Sequence, residues 1–199
     1  IIVRNNEVTG NVTGIEIENS THAEVYANHA HNNVGGILVF LLPNNPSKVG
    51  YNTRVYDNVV EDNNLPTFAK AGTTVALVPS GTGIFIMTAD NTEVFNNTIR
   101  NNQTFGVALT ILYMAGYVRY TLFDLGPLPE NNWIHDNIWE NNGYAPDGLV
   151  AEIGIPGADI LWTGEGWNNA FDEPTASKFP PLLPGRDWSK QSARCRWCG

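Results

Sequence analysis

The sequence predicts an all-β solenoid, in which parallel coils of about 22 residues stack on one another and are interrupted by loop insertions. Three observations carry that prediction. First, an aliphatic residue is followed three later by Asn, two further on by an apolar residue, and then by a polar pair. This pattern recurs five times, as Val3-Asn6-Val8-Gly10-Asn11, Val25-Asn28-Ala30-Asn32-Asn33, Val55-Asn58-Val60-Asp62-Asn63, Val94-Asn97-Ile99-Asn101-Asn102 and Ile134-Asn137-Trp139-Asn141-Asn142. Second, a glycine followed by two apolar residues one apart, the period-2 mark of a short strand, recurs as Gly14-Ile15-Ile17, Gly36-Ile37-Val39, Gly83-Ile84-Ile86, Gly106-Val107-Leu109 and Gly148-Leu149-Ala151. Third, the repeat closes quickly where nothing is inserted: Val3 to Val25 and Gly14 to Gly36 are 22 residues apart, and Gly83 to Gly106 is 23.

A repeat of this length with strand periodicity and no helical pattern is one coil, which cannot bury its apolar side until neighbours stack on it. Stacking at about 4.8 Å places Ile15, Ile37, Ile84, Val107 and Leu149 in one interior column and Val3, Val25, Val55, Val94 and Ile134 in another. Asn6, Asn28, Asn58, Asn97 and Asn137 then form a corner ladder, where amides hydrogen-bond along the axis and Asn tolerates the left-handed backbone of a sharp bend. The Leu-x-x-Leu-x-Leu frame of leucine-rich repeats is missing. On these residues the chain resembles, over roughly residues 1 to 170, the right-handed parallel β-helix repeat proteins, the pectate-lyase-like class that includes polysaccharide lyases, hydrolases and epimerases. The resemblance implies a right-handed, single-stranded parallel β-helix. It selects no activity, because the matching residues are core and corner positions that all those functions share.

Net charge is −9, which excludes nucleic acid and anionic membrane surfaces as partners. Outside the tail only Arg4, Lys48, Arg54, Lys70, Arg100 and Arg119 are basic, too few to grip a polyanion without a metal bridge. No apolar run approaches membrane-spanning length, the longest, Phe105 to Ala115, being broken by Thr and Gly. Few Lys among abundant Asn, Thr and Gly predict an exported protein, secreted, periplasmic or at the cell surface. The chain opens with Ile in mid-coil, so missing N-terminal coils are expected. Cys195-Arg-Trp-Cys198 lacks the His of a haem site and the second pair of a zinc site, leaving a local disulfide or the start of a site lost with the chain end. Sequons at Asn11, Asn19, Asn96 and Asn102 arise from the Asn-rich composition.

In chain order, excursions are expected at Phe40 to Thr53, Leu65 to Ser80 and Ile111 to Glu130. The third carries Tyr113, Met114, Tyr117, Tyr120 and Phe123, and is expected to fold back over the glycine-half sheet and bury Leu38, Phe40, Phe85 and Met87; Val150 and Glu152 are also expected to face outward on those strands. Residues 150 to 172 read as a degenerate last coil ending the helix at 172, and 173 to 199, with Phe179-Pro180-Pro181, as a tail or linker.

Columns across coils, not local motifs, are where chemistry can assemble. Asp57 and Asp136 are two rungs apart, about 9.6 Å, with Asn96 between. That separation suits the wide carboxylate pair of an inverting glycosidase or oxygen ligands around Ca²⁺, and His135 beside Asp136 is a titrating partner. Asp57, His135 and Asp136 are therefore the catalytic candidates; the competing reading is that Asp and Asn simply suit a solvated turn. Tyr26, Tyr56 and Phe95 form a column able to stack on sugars or on one another, and with Arg100 make the binding candidates. Arg100 also reads as part of a His31–Glu61–Arg100–Glu140 salt-bridge ladder. His29 and His31 share a face, but with no third ligand identifiable no metal is expected there. The tandem Asp and Gly-His-Gly motifs of polygalacturonases are absent. The function expected is a binding or structural module for a polysaccharide or protein partner, with a carbohydrate-active enzyme as the alternative.

Overall fold

The computed structural model describes residues 1–111 and 126–186. The five aliphatic-Asn repeats each fold as two short strands and the first four glycine halves as longer ones, and the coils stack into three parallel sheets of six, five and six strands. Sheet A stacks β1 (Ile2–Arg4), β4 (Glu24–Tyr26), β7 (Arg54–Tyr56), β10 (Glu93–Phe95), β13 (Trp133–His135) and β16 (Ala170–Asp172). Sheet B stacks β2 (Glu7–Val8), β5 (His29–His31), β8 (Val59–Glu61), β11 (Thr98–Arg100) and β14 (Ile138–Glu140). Sheet C stacks β3 (Thr13–Glu18), β6 (Gly35–Phe40), β9 (Thr82–Met87), β12 (Phe105–Thr110), β15 (Ala158–Trp162) and β17 (Lys178–Phe179). The chain is a right-handed parallel β-helix.

Register is in phase with the repeat. In sheet A, Val3, Val25, Val55, Val94 and Ile134 pair in one column that ends on Phe171. In sheet C the column runs Ile15, Ile37, Ile84, Val107 and then Ile160, not Leu149. Gly148–Glu152 forms a short helix, α1, in a loop whose neck is pinched between Gly143 and Gly157. A Cβ on Gly157 would lie 2.0 Å from the Gly143 carbonyl oxygen, so only glycines let the chain leave and rejoin the coil there. Val150 and Glu152 are thus on this helix and not on a sheet C strand; Val150 still packs against the outer apolar cluster.

The corner ladder forms as its spacing requires. Asn58 donates through Nδ2 to Asn97 Oδ1 (2.9 Å) and to the Val25 carbonyl (2.9 Å), while its backbone N–H also reaches Asn97 Oδ1 (3.0 Å). A second ladder, Asn11, Asn33, Asn63, Asn102 and Asn142, runs along the corner between sheets B and C. Every rung donates toward the C-terminal end, so each ladder finishes needing an acceptor, and each meets a carboxylate. Asn137 donates to Glu173 Oε1 (2.8 Å), and Asn142 to Asp159 Oδ1 (2.9 Å). Burial raises the Glu173 carboxyl above its usual range.

Pairing continues past the boundary expected at 172. Lys178–Phe179 adds to the edge of β15, because the last apolar strand would otherwise present an open edge. Outward on sheet C, Leu38, Phe85, Ala108 and Leu161 form one column, and Phe40, Met87 and Thr110 another. Val78, Val150 and Ile155 pack on them from two of the connections, and a cavity of about 130 Å³ lies beneath. The expected cover from Ile111 to Glu130 falls mostly on residues 112–125, outside the described residues; Ile111 itself is buried and lines this cavity. The Cys195 and Cys198 motif is likewise outside them.

Candidate functional site

Sheets A and B meet at a corner that is the same in five coils. Two residues separate the strands each time: Asn5-Asn6, Ala27-Asn28, Asp57-Asn58, Asn96-Asn97 and Asp136-Asn137. The first of each pair has a left-handed backbone, with φ of 57°, 52°, 54°, 54° and 54° in that order, and the second is a rung of the Asn ladder. Asp and Asn reach that conformation more cheaply than other non-glycine residues, which accounts for the acids there. Long connections leave the coils elsewhere, at 41–53 and 111–132 between sheets C and A, and at 62–81 and 141–157 between sheets B and C. Among the described residues, nothing is inserted at the A–B corner.

The outer face of sheet A carries two adjacent columns. Tyr26, Tyr56, Phe95 and His135 stack with ring centroids 4.9, 5.0 and 5.4 Å apart and planes within 11° of parallel. The ring faces are thus occupied by one another, so edges and phenol hydroxyls, not faces, are offered to a ligand. Beside them, Arg54 bonds Glu93 (2.9 Å) and approaches Glu24 (3.7 Å), with its guanidinium over Phe95 (4.9 Å) and Tyr56 (5.2 Å). Burial alone would raise Glu93; hydrogen bonds from Arg54 and His135 outweigh it and hold the carboxyl below its usual range. His135 is buried between carboxylates, Nδ1 at 2.8 Å from Asp136 and Nε2 at 3.3 Å from Glu93, with Trp133 against its ring at 3.5 Å. Arg186 covers the Trp133 ring from 3.7 Å, and Trp133 Nε1 donates to Asp172 (2.8 Å).

Around the corner lies an open polar groove of about 690 Å³, lined among others by Asn5, Glu7, His29, Asp57, Glu61 and Arg100. Glu61 is clamped by Arg100 on one oxygen and by His29 Nε2 on the other (2.7 Å). Burial opposes its ionisation, but these two partners prevail and its carboxyl is lowered. One rung away, His31 Nε2 is 3.1 Å from Glu7 Oε1, and the two imidazoles lie 4.2 Å apart.

The candidates named from sequence therefore divide. Asp57 and Arg100 meet in the groove; Tyr26, Tyr56, Phe95 and His135 form the ladder on sheet A. Arg100 does not join the aromatics, because strand β11 places it on sheet B, paired with Glu61. Asp136 lies at the same corner as Asp57, with the Asn96 rung between them. Glu7, the third donor beside His29 and His31, was missed although it sits at a readable place: it is four residues after Val3, as His29 is after Val25. The two carboxylate ladder ends, Glu173 and Asp159, gave no repeat signal because the terminal coil departs from the repeat.

Among the described residues no helix is long and apolar enough to cross a membrane. No curated protein and no solved structure matches the chain. A family model described as the right handed beta helix region matches residues 1–112, more than half of the chain and the part that holds the groove and most of the ladder. With three parallel sheets in phase with the repeat and Asn ladders at their corners, the chain belongs to the right-handed β-helix family.

Proposed function

We propose that this chain is an exported, non-catalytic binding module that holds an extended neutral glycan against the corner between sheets A and B. The observation that carries the proposal is the open corner: five successive coils each cross it in two residues, while the long connections leave on either side of sheet C. The surface so exposed repeats about every 4.8 Å and offers amides, carboxylates and phenol hydroxyls, groups that match the hydroxyls of a saccharide chain. Glu7, Asp57 and Glu61 in the groove repel a polyanion, which favours an uncharged polymer. Export rests on the composition. The test is affinity electrophoresis and calorimetry against neutral glucans, mannans and xylans beside polygalacturonate and alginate, with and without Ca²⁺. Neutral glycans should bind, and the double variant Asp57→Asn, Tyr56→Phe should weaken binding about tenfold, the loss of two hydrogen bonds. Binding confined to polyuronates with Ca²⁺, or none at all, sinks the proposal.

A second reading draws on His135, which bridges Asp136 and Glu93. With Asp57 and Asp136 two rungs apart, about 9.6 Å, the pair is near the upper separation for inverting glycoside hydrolysis. Turnover of a glycan by the chain, abolished by Asp136→Asn at unchanged thermal stability, selects this reading over the first.

A further inference from the structure

We propose that Glu7, His29 and His31 form a binding site for a late first-row divalent metal ion of the zinc, nickel or copper kind on the outer face of sheet B. The ligand atoms of the three side chains all lie within 4.8 Å of one another. Their placement follows from the fold. Residues two apart on a strand face the same way, so His29 and His31 project together from β5, and the parallel register sets Glu7 of β2 directly beside His29. A metal bonded at about 2.0–2.2 Å brings cis ligand atoms to roughly 3 Å, a closure that side-chain rotation supplies without moving the strands. His31 and Glu7 are already at 3.1 Å.

The donor set selects the metal. Two imidazoles and one carboxylate suit zinc, nickel or copper, whereas Ca²⁺ requires oxygen ligands throughout. Glu61 is 2.7 Å from His29 and held in turn by Arg100, so it orients His29 in the way that carboxylates orient ligating imidazoles. Asn32 Nδ2, 2.8 Å from His31 Nδ1, supports the other ring; with the amide turned over, its oxygen accepts the Nδ1 proton when Nε2 ligates. Glu7 and His29 also line the open groove, which leaves room for water in the remaining positions.

The experiment is calorimetric titration of the full chain with Zn²⁺, with the Cu²⁺ electron paramagnetic resonance spectrum as a second readout. Both use a Cys195→Ser, Cys198→Ser background so that the thiols give no signal. One equivalent should bind, with coupling from two nitrogens in the Cu²⁺ spectrum. His29→Gln and His31→Gln should each weaken Zn²⁺ more than about 100-fold, and Glu61→Gln about 10–100-fold. Glu7→Gln, an isosteric change at a side chain 71% exposed, should weaken it as well, while Asp57→Asn, in the same groove, should not. No Zn²⁺ binding at about 100 μM, a Cu²⁺ spectrum without two nitrogens, or affinity unchanged in both His29→Gln and Glu7→Gln overturns the proposal.

Discussion

The outer face of sheet C and the corner between sheets A and B are built from the same coils yet meet their surroundings in opposite ways. On sheet C the change happens coil by coil. In the first coil, followed only by the short connection 19–23, the outward residues are Glu16 and Glu18. In the next they are Leu38 and Phe40, followed by the long connection 41–53, and in the third Phe85 and Met87, preceded by the long connection 62–81. The polarity of an outward position tracks the insertions around it, because a long connection can lie over the strand whereas a two-residue corner covers nothing. At the A–B corner, where nothing is inserted, most outward positions stay charged, aromatic or amide, though Ala27 and Val59 are aliphatic. In this chain, where loops leave the solenoid decides which face is covered and which stays open to solvent.

The largest effect that tests this contrast is at the ladder. A Gly-Ser pair inserted between Asp57 and Asn58 should prevent folding or cost several kcal/mol, because it breaks a buried hydrogen-bond column, whereas the same pair inserted at Asn44-Asn45 should cost well under 1 kcal/mol by loop lengthening. Asn97→Ala, which removes the acceptor for both the backbone and side-chain N–H groups of Asn58, should cost about 3–5 kcal/mol by urea unfolding; Asn6→Ala, at the solvated end of the same ladder, should cost under about 1. Equal costs for the two would mean the ladder is not a single cooperative column.

Next in size are the outward side chains. Phe85→Ala, beneath the outer apolar cluster, should cost about 3 kcal/mol, and Tyr56→Ala, in the half-exposed aromatic ladder, about 1. If Phe85→Ala proves as mild as Tyr56→Ala, the sheet C face is not sealed and must be reconsidered as a ligand surface.

How far this contrast was legible in sequence depends on what enforces each position. The interior columns and the first Asn ladder were readable because a strand alternates with period 2 and a stacked coil repeats its register. Leu149 was misplaced because Gly148-Leu149-Ala151 imitates the glycine half, and nothing local reveals that Gly143 and Gly157 close a loop around it. Arg100 was legible as a member of the column that holds Glu61, and the two pair on sheet B, across the Asn97 corner from Phe95. Of the two uses read for the aromatic column, stacking on sugars or on one another, the structure shows the second, because rings one rung apart on parallel strands come face to face.

Titration separates the two regions by sign. At the corner between sheets C and A, Asp90 is raised by burial to about 7, despite a hydrogen bond from the Glu130 backbone N–H at 2.8 Å. A carboxyl whose folded pKa exceeds its unfolded value binds its proton more tightly when folded, so its stabilising contribution is greatest in acid and is lost as pH rises from about 4 through 7. Glu61 and Glu93, lowered at the bare side, do the reverse: their contribution is present above the usual Glu range and is lost as pH falls through their folded values. Asp90→Asn keeps an oxygen for the Glu130 N–H and should raise stability at pH 8 by on the order of 1–2 kcal/mol, discounted for partial exposure, with no gain at pH 4. Unfolding of both proteins across that range checks it, and an equal gain at both pH values would remove Asp90 as the titrating group.

The smallest effect belongs to Arg54, which looks like the hinge of the sheet A face because it pairs with Glu93, approaches Glu24 and covers two rings. Its partners raise its pKa, above all through the bond to Glu93, yet its side chain is 47% exposed, and exposed ion pairs are screened and cost side-chain entropy to hold. Arg54→Gln should therefore lower stability by less than about 1 kcal/mol in low salt and by still less at 1 M NaCl, where charges are screened beyond about 3 Å. The consequence for Glu93 should be larger than the consequence for the fold: without Arg54 its carboxyl rises, and its hydrogen bond to His135 becomes the principal force keeping it ionised. Nuclear magnetic resonance titration of the Glu93 carboxyl in Arg54→Gln reads that directly. An unmoved Glu93 in a protein destabilised by several kcal/mol would reverse the argument, making Arg54 a packing residue through its contacts with Tyr56 and Phe95 and not the charge that organises this face.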